Sequence, residues 1–204
     1  MGKVRFDISV SLDGFVAGPN DGVGNGLGDG GEALHEWAYE LESFHERHGR
    51  EGGAAGTDSE ILDEAFRGVG AMLMGRRMFD FAVDAWGDEP PFRVPVFVVT
   101  HRPGEPLEKG GGTTFHFVTD GIEAALDRAR EAAGEEDVAI AGGASVIQQC
   151  LERGAVDEFQ LHLVPLTLGG GVRLFDRLGP EQRRFAKTRV IDSPGVTHLK
   201  FETA

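Results

Sequence analysis

A single cysteine, Cys150, allows no internal disulfide and marks no compartment. No apolar run approaches the length of a membrane span, and Met1 to Val10 is too polar and too alternating for a signal peptide, so a cytoplasmic protein is expected. Basic residues are scarce: 20 Lys and Arg stand against 34 Asp and Glu, a formal net charge of −14. That balance argues against nucleic acid or an anionic membrane as a partner over a large surface. A small anionic ligand stays open wherever cations gather locally, as at Arg76-Arg77 and His101-Arg102. Apolar content is ordinary, so disorder is not expected, and 204 residues suffice for one α/β domain over residues 1–204 with a sizeable core.

Two ligand motifs are present in form only. Gly26-x-Gly28-x-x-Gly31 matches a dinucleotide fingerprint, but it starts well beyond the strand end, where its first glycine cannot make the strand-to-helix turn. Its Asn and Asp residues also miss calcium-loop spacing. A mobile loop over residues 18–31, flanking a site, is the better reading. Glu32-x-x-His35 and Glu42-x-x-His45 resemble di-iron ligand pairs, yet both fall on one predicted helix, whereas that chemistry needs facing helices and two further carboxylates. No metal is expected, and a solvated polar helix face accounts for these residues.

The chain is organised around Val138 to Val146. Val138 to Ala141 reads as a buried parallel strand, Gly142-Gly143 as its exit, and Ser145 to Arg153 as a helix with Val146, Ile147, Cys150 and Leu151 on one face. A strand that passes through glycines into a helix leaves bare N–H groups that favour an anion such as a pyrophosphate. Many α/β proteins turn on glycines without binding anything, so the remaining junctions matter. Lys3 to Ser11 alternates as a strand, with Phe15-Val16-Ala17 continuing it after the Ser11 to Gly14 turn. Glu32 to His48 reads as one amphipathic helix with Leu34, Trp37, Ala38, Leu41 and Phe44 buried, followed by a flexible connector over residues 49–56. Thr57-x-x-Glu60 reads as a capping box, and Ala71 to Met74 as a short strand running into Gly75-Arg76-Arg77. Two arginines at a helix start oppose the dipole, which points to an anion they jointly hold, with surface solubility as the plain alternative.

Val94 to Thr100 is the most apolar strand, expected to be central and parallel, and it ends in Thr100-His101-Arg102-Pro103. Phe115 and Phe117 mark another strand, Asp120-x-x-Glu123 caps a helix to Ala133, and Phe159 to Leu163 alternates as a strand with Gln160 and His162 on its polar side. Phe185 to Ile191 and Val196 to Glu202 close the chain as an antiparallel hairpin turned by Ser193-Pro194-Gly195. Three polar junctions, 75–77, 100–102 and 142–145, therefore follow presumed parallel strands, where open α/β sheets bind ligands.

Met74-Gly75-Arg76-Arg77, Thr100-His101-Arg102-Pro103 and Ala141-Gly142-Gly143-Ala144-Ser145 occur in an order and spacing that resembles dihydrofolate-reductase-like proteins. Ser11-Leu12-Asp13-Gly14, Gly154-Ala155-Val156-Asp157-Glu158 and Pro165 with Gly169 to Gly171 look closer to the reductase domain of the riboflavin-biosynthesis deaminase-reductase. The zinc signature of its deaminase domain is absent from the sequence. The resemblance implies an α/β, three-layer fold: a central mixed, mostly parallel sheet flanked by helices, with a C-terminal antiparallel hairpin. It also implies NADPH as cofactor, a small-molecule substrate and a homodimer. Carried over, Gly75, Arg76 and Arg77 meet the 2′-phosphate region; Thr100, His101 and Arg102 line the adenosine end. Ala141, Gly142, Gly143, Ala144, Ser145 and Val146 hold the pyrophosphate, and Val16 and Ala17 sit near the nicotinamide. The chain departs from the family at Met78, where a threonine is usual.

The expected reaction is hydride transfer to a C=N or C=O bond of a pterin- or ribosylaminopyrimidine-like substrate, with the protein orienting the rings and supplying a proton. Candidate catalytic groups are Asp13, His35 and His162. Their plain alternatives are a turn carboxylate, a solvated ring and a partnered core imidazole. Cys150 reads as core. A nucleotide-binding sensor without turnover, or a flavin-dependent variant, are the other functions compatible with this pattern.

Overall fold

A computed structural model describes residues 2–203. The chain begins with β1 (Val4–Ser11) and β2 (Phe15–Ala17), and a 3₁₀ turn (Gly31–Leu34) leads into α1 (Glu36–Tyr39), α2 (Glu42–Arg47) and α3 (Thr57–Glu64). Next come β3 (Val69–Gly75), α4 (Arg76–Ala82), β4 (Pro95–Val99), β5 (Leu107–Glu108), β6 (Thr114–Val118) and α5 (Gly121–Ala133). The remainder is β7 (Asp137–Gly142), α6 (Ala144–Glu152), β8 (Glu158–Val164), β9 (Val172–Arg173), β10 (Phe185–Ser193) and β11 (Val196–Thr203). Nine strands form one sheet in the order β10-β11-β8-β1-β7-β3-β4-β6-β5, while β2 and β9 pair separately. The pairs from β8 through β6 are parallel, and the C-terminal hairpin joins antiparallel to β8. The mixed, mostly parallel sheet expected from the sequence is therefore present. The organising strand β7 is its middle member, and β4 is interior but off centre.

The alternation of β1 separates two faces. Val4, Phe6 and Val10 point into a core closed by Ile122, Ala125, Leu126 and Ala129 of α5 and by Val146, Ile147 and Cys150 of α6. Phe6 stacks on Phe159 at 4.8 Å. Arg5, Ser9 and Ser11 on the other face are also buried; Arg5 donates to the carbonyls of Glu64 and Arg67 at the end of α3, and Trp37 of α1 donates to Ser9 Oγ. A second apolar cluster lies under α4, where Phe79 packs with Met72, Met74, Val96, Val98 and Phe115.

Several local expectations are corrected. The helix expected over residues 32–48 is broken: Leu41 is extended (φ −76°, ψ 145°) and bridges Ala54, whose N–H donates to the Glu40 carbonyl. The connector over residues 49–56 is thus partly tied down by backbone bonds. Gly56, not Thr57, is the N-cap of α3, and no side chain caps it, so the capping box does not form. Asp120 is the N-cap of α5 as expected, but its carboxylate pairs with Arg128 rather than with the helix N–H groups. The loop over residues 18–31 is built rather than loose. Asn20 and Asn25 side chains donate to Asp29, and Gly18 N–H donates to the Leu27 carbonyl at 2.8 Å.

Where β9 meets β2, Gly171 has φ +118°, and a Cβ there would lie 2.1 Å from the Ala17 carbonyl oxygen. Both the torsion and the close approach require glycine. Gly171→Ala is expected to cost about 3 kcal/mol or more, lowering Tm by about 6–12 °C in a thermal melt. Gly170→Ala, with no atom within 4 Å of its added Cβ, serves as the neutral control.

Candidate active site

The three polar junctions follow adjacent strands. β7, β3 and β4 lie side by side and parallel, so residues 142–146, 75–77 and 100–102 emerge at neighbouring carboxyl ends. The first two touch: a Cβ on Gly75 would lie 3.3 Å from both Gly143 N and Val146 Cγ2. Gly142 has φ +137°, and its missing side chain is faced by Met78 Sδ of α4, 2.9 Å from where a Cβ would stand. The Gly142–Gly143 peptide is cis. Gly143, by contrast, has nothing within 4 Å of its Cβ position, and no side chain caps α6 behind it. Ala144 and Val146 are buried beneath this opening, whereas Ser145 is exposed. Open space therefore lies beside the uncapped amino end of a nine-residue helix.

The cations gather at the second and third junctions. Arg76 lies 5.2 Å from the Phe117 ring centre and pairs with Asp80 through Nε at 2.6 Å. Arg102 pairs with the other oxygen of the same carboxylate. Partial burial works against the Asp80 charge, but these two guanidinium groups hold its carboxyl below the usual range. Arg77 donates to Asp21 at 2.6 Å, fastening the loop over residues 18–31 to α4. Thr100 is buried and its Oγ1 accepts from the Arg102 N–H at 3.0 Å; His101 is exposed at the turn. Each guanidinium carries five N–H donors, so these pairs leave donors for phosphate oxygens. An open glycine cradle, an uncapped helix end and three neighbouring arginines fit a pyrophosphate-containing, 2′-phosphorylated dinucleotide.

Val16 and Ala17 lie buried on β2, against β9. Asp13 nearby accepts from Ser11 Oγ at 2.6 Å and from the N–H groups of Leu168 and Gly169 at 3.1 and 2.8 Å. These bonds, the one from Ser11 foremost, hold its carboxyl down at about 2. That geometry makes Asp13 an ionised staple between two loops and a poor proton donor. His35 is half-buried at the N-cap of α1, and burial pushes its imidazole down against the pull of Glu32.

His162 sits on the covered polar face of the sheet, where β1, β8 and β11 place Ser9, His162 and His198 side by side. The two imidazoles meet Nδ1 to Nδ1 at 2.7 Å, and His198 Nε2 lies 3.2 Å from Asp58 Oδ1 of α3. Trp37 covers both rings, at 4.8 and 5.1 Å, and donates to Ser9 Oγ. Burial, then the neighbouring His198 and His35 rings, push His162 down to about 3, so it is neutral at pH 7. One layer down, Asp7 accepts from Gln160 Nε2 at 3.0 Å, and burial pushes its carboxyl up to about 6 against the pull of Arg5 and Lys200. Sequence reasoning named His162 and read Trp37 as buried, but missed Asp7, His198 and Asp58. The only sequence signal for Asp7 was a carboxylate inside an otherwise regular strand alternation.

A central mixed sheet with helices on both faces, a terminal antiparallel hairpin and glycine-rich strand ends define a dihydrofolate-reductase-like fold. The dihydrofolate reductase from Enterococcus faecalis, solved with NADP(H) and RAB-propyl, shares that fold at a TM-score of 0.53 and 13% identity, over 99% of this chain and 96% of that one. The chain belongs to the family of the RibD C-terminal domain, whose model matches residues 2–198. It is similar to a putative riboflavin biosynthesis protein from Shewanella sp. PV-4, with a TM-score of 0.67 and 24% identity over 99% of both chains. It is also similar to the Bacillus subtilis (strain 168) protein YwjB, 24% identical over 181 residues, 89% of this chain and 87% of that protein. Family and fold are those of reductases. No helix among the described residues is long and apolar enough to cross a membrane.

Proposed function

We propose that the protein is an NADPH-dependent reductase acting on a C=N or C=O bond of a small pterin- or ribosylaminopyrimidine-like substrate. The observation that carries this reading is the convergence of the Gly142-Gly143 exit, the Gly75 to Arg77 exit and the Thr100 to Arg102 turn at the ends of adjacent strands. NADPH supplies the hydride when bound. The chain's own residues bind and orient. Gly143 and the start of α6 accept the pyrophosphate, and Arg76, Arg77 and Arg102 favour a 2′-phosphate over a bare ribose hydroxyl. Val16 and Ala17, buried against β9, form the apolar wall at the nicotinamide end. Ala139 and Ala141 on β7 are small, share a sheet face with Arg5 of β1 and pack in the apolar cluster under α4.

Absorbance loss on mixing the protein and NADPH with dihydropterins, quinones and ribosylaminopyrimidines tests the reaction. Turnover of at least one acceptor is expected. Tight NADPH binding without turnover of any acceptor would instead indicate a sensor. Arg77→Ala is expected to weaken NADPH about 10- to 100-fold, the worth of one charge-assisted contact, and to leave NADH affinity unchanged. Equal losses for both cofactors would remove Arg77 from the 2′-phosphate region.

A further inference from the structure

We propose that Asp7 delivers the proton to the bond being reduced, and that Asp58, His198 and His162 are the path along which it regains one; the proposal rests on the reductase reading above. Its basis is position. Arg5 of β1 stands opposite Ala139 of β7 in a parallel pair, so Asp7, two residues on, shares the sheet face of Ala139 and Ala141. At about 3.3 Å per residue it stands about 7 Å further along β1 than the Arg5–Ala139 pair, in the direction of the Gly142-Gly143 exit. Asp7 also lines a cavity of about 350 Å³ on this face, together with Arg5, Glu64, Gln160, Arg189 and Lys200. That volume suits a single-ring or double-ring heterocycle.

The path runs from solvent to that cavity. Asp58 is partly exposed at the first turn of α3 and 3.2 Å from His198 Nε2; the His198 and His162 Nδ1 atoms are 2.7 Å apart; His162 Nε2 is 3.9 Å from Asp7 Oδ1. A shift of about 1 Å brings the last pair into hydrogen-bond range. In the refilling step Asp58 passes a solvent proton to His198 Nε2, His198 passes its Nδ1–H to His162 Nδ1, and His162 passes its Nε2–H to Asp7. Each imidazole changes tautomer and changes back before the next turnover. After the refill, His162 is left with an unprotonated Nε2 facing Asp7, so in this state it holds no proton on the cavity side. Asp7 is the group there that can. His162, His198 and Asp58 act through it and are positioning residues.

The step balances simply. A bound reduced nicotinamide would supply the hydride for the new C–H bond, and the π pair of C=N or C=O would move to nitrogen or oxygen. That atom takes the carboxyl proton of Asp7. Asp7 is left as carboxylate, the nicotinamide is oxidised, the substrate is reduced, and a solvent proton refills Asp7 along the path. The groups facing Asp7 set its titration. Arg5 on β1 and Lys200 on β11 favour the charged form, whereas burial and Glu158 on β8 favour the neutral one. Arg189 of β10, Glu64 of α3 and Arg67 complete the charged wall, and Arg189 and Glu64 neutralise each other.

The test compares wild type, Asp7→Asn, Asp7→Glu and His198→Phe. NADPH oxidation is followed from pH 5 to 9 with a dihydropterin and a ribosylaminopyrimidine as acceptors. The carboxyl stretching band is followed by infrared spectroscopy over the same range, and its exchange is followed in D₂O. Wild-type kcat is expected to fall as pH rises through about 6, with a protonated carboxyl band lost over the same interval. Asp7→Asn is expected to lower kcat about 100-fold, leave the KM for NADPH unchanged, and abolish both the pH limb and the band. Asp7→Glu restores part of kcat, and His198→Phe slows deuterium exchange of the band. Asp7→Asn with wild-type kcat, or with the pH limb intact, overturns the proposal. Should wild type reduce no acceptor, the reductase reading fails separately and the infrared arm decides the proton path. A titrating band removed by Asp7→Asn and slowed by His198→Phe upholds the path, and its absence overturns it.

Discussion

Asp7→Asn is expected to unfold at higher urea concentration than wild type at pH 8, by about 3 kcal/mol. Burial raises the Asp7 carboxyl from 3.8 to about 6. A carboxyl whose folded pKa lies above its unfolded value stabilises fully only below the unfolded value, and that contribution is lost as pH rises through the folded one. At about 1.4 kcal/mol per pH unit, a rise of roughly two units leaves the ionised form costing about 3 kcal/mol above pH 6. Asparagine carries no charge and escapes that cost. His162 runs the other way: its pKa is pushed down to about 3, so its contribution is lost as pH falls below about 6.5. Between pH 6 and 4 the two largely offset each other in wild type. Asp7→Asn therefore loses its advantage on acidification, at about 1.4 kcal/mol per pH unit. Urea unfolding at pH 8, 6 and 4.5 reads both effects. A variant less stable than wild type at pH 8 would contradict the argument. A residue whose removal stabilises the fold is characteristic of a functional site.

Arg5→Met is expected to destabilise by about 3–5 kcal/mol, since it breaks a buried, fully engaged ion pair. Arg5 is 7% exposed. It donates through Nε to Asp137 at 2.9 Å, and through its two terminal nitrogens to the carbonyls of Glu64 and Arg67 at 3.1 and 2.6 Å. These bonds hold the carboxyl end of α3 down on β1 and so maintain the covered polar face. Methionine matches the stem but leaves two carbonyls and a carboxylate without this partner. Asp137→Asn, which keeps an acceptor for Arg5, is expected to cost less. Equilibrium unfolding checks both, and a loss below about 1 kcal/mol for Arg5→Met would show that water satisfies these groups equally well.

What the sequence made legible follows from locality. Gly142-Gly143 interrupts a β-branched run and opens a helix within a few residues, so β7 and α6 could be read from spacing alone. The same holds for Gly75-Arg76-Arg77 and for the turn after β4, and three such exits implied a shared sheet edge. The helix expected over residues 32–48 was broken by a contact spacing cannot show, the bridge from Leu41 to Ala54. Asp7 alternates with apolar neighbours as an outward-facing strand residue does. It is interior only because α1 to α3 fold back over that face. His198 lies 36 residues from His162, and they meet only through the β8–β11 register. Asp58 was hidden inside an apparent capping box. Polar networks that cross strands leave no periodic trace, whereas glycine exits do.

The most direct measurement is titration calorimetry of NADPH and NADH into wild type and Gly143→Ala. Gly143 has ordinary torsions (φ −84°, ψ −174°) and no atom within 4 Å of its Cβ position, so alanine there fills only the open cradle. Wild type is expected to bind NADPH more tightly than NADH, and Gly143→Ala to lose NADPH affinity at least about 10-fold with its unfolding curve unchanged. No heat with NADPH in wild type, or equal NADPH affinity in the two proteins, would contradict the cradle.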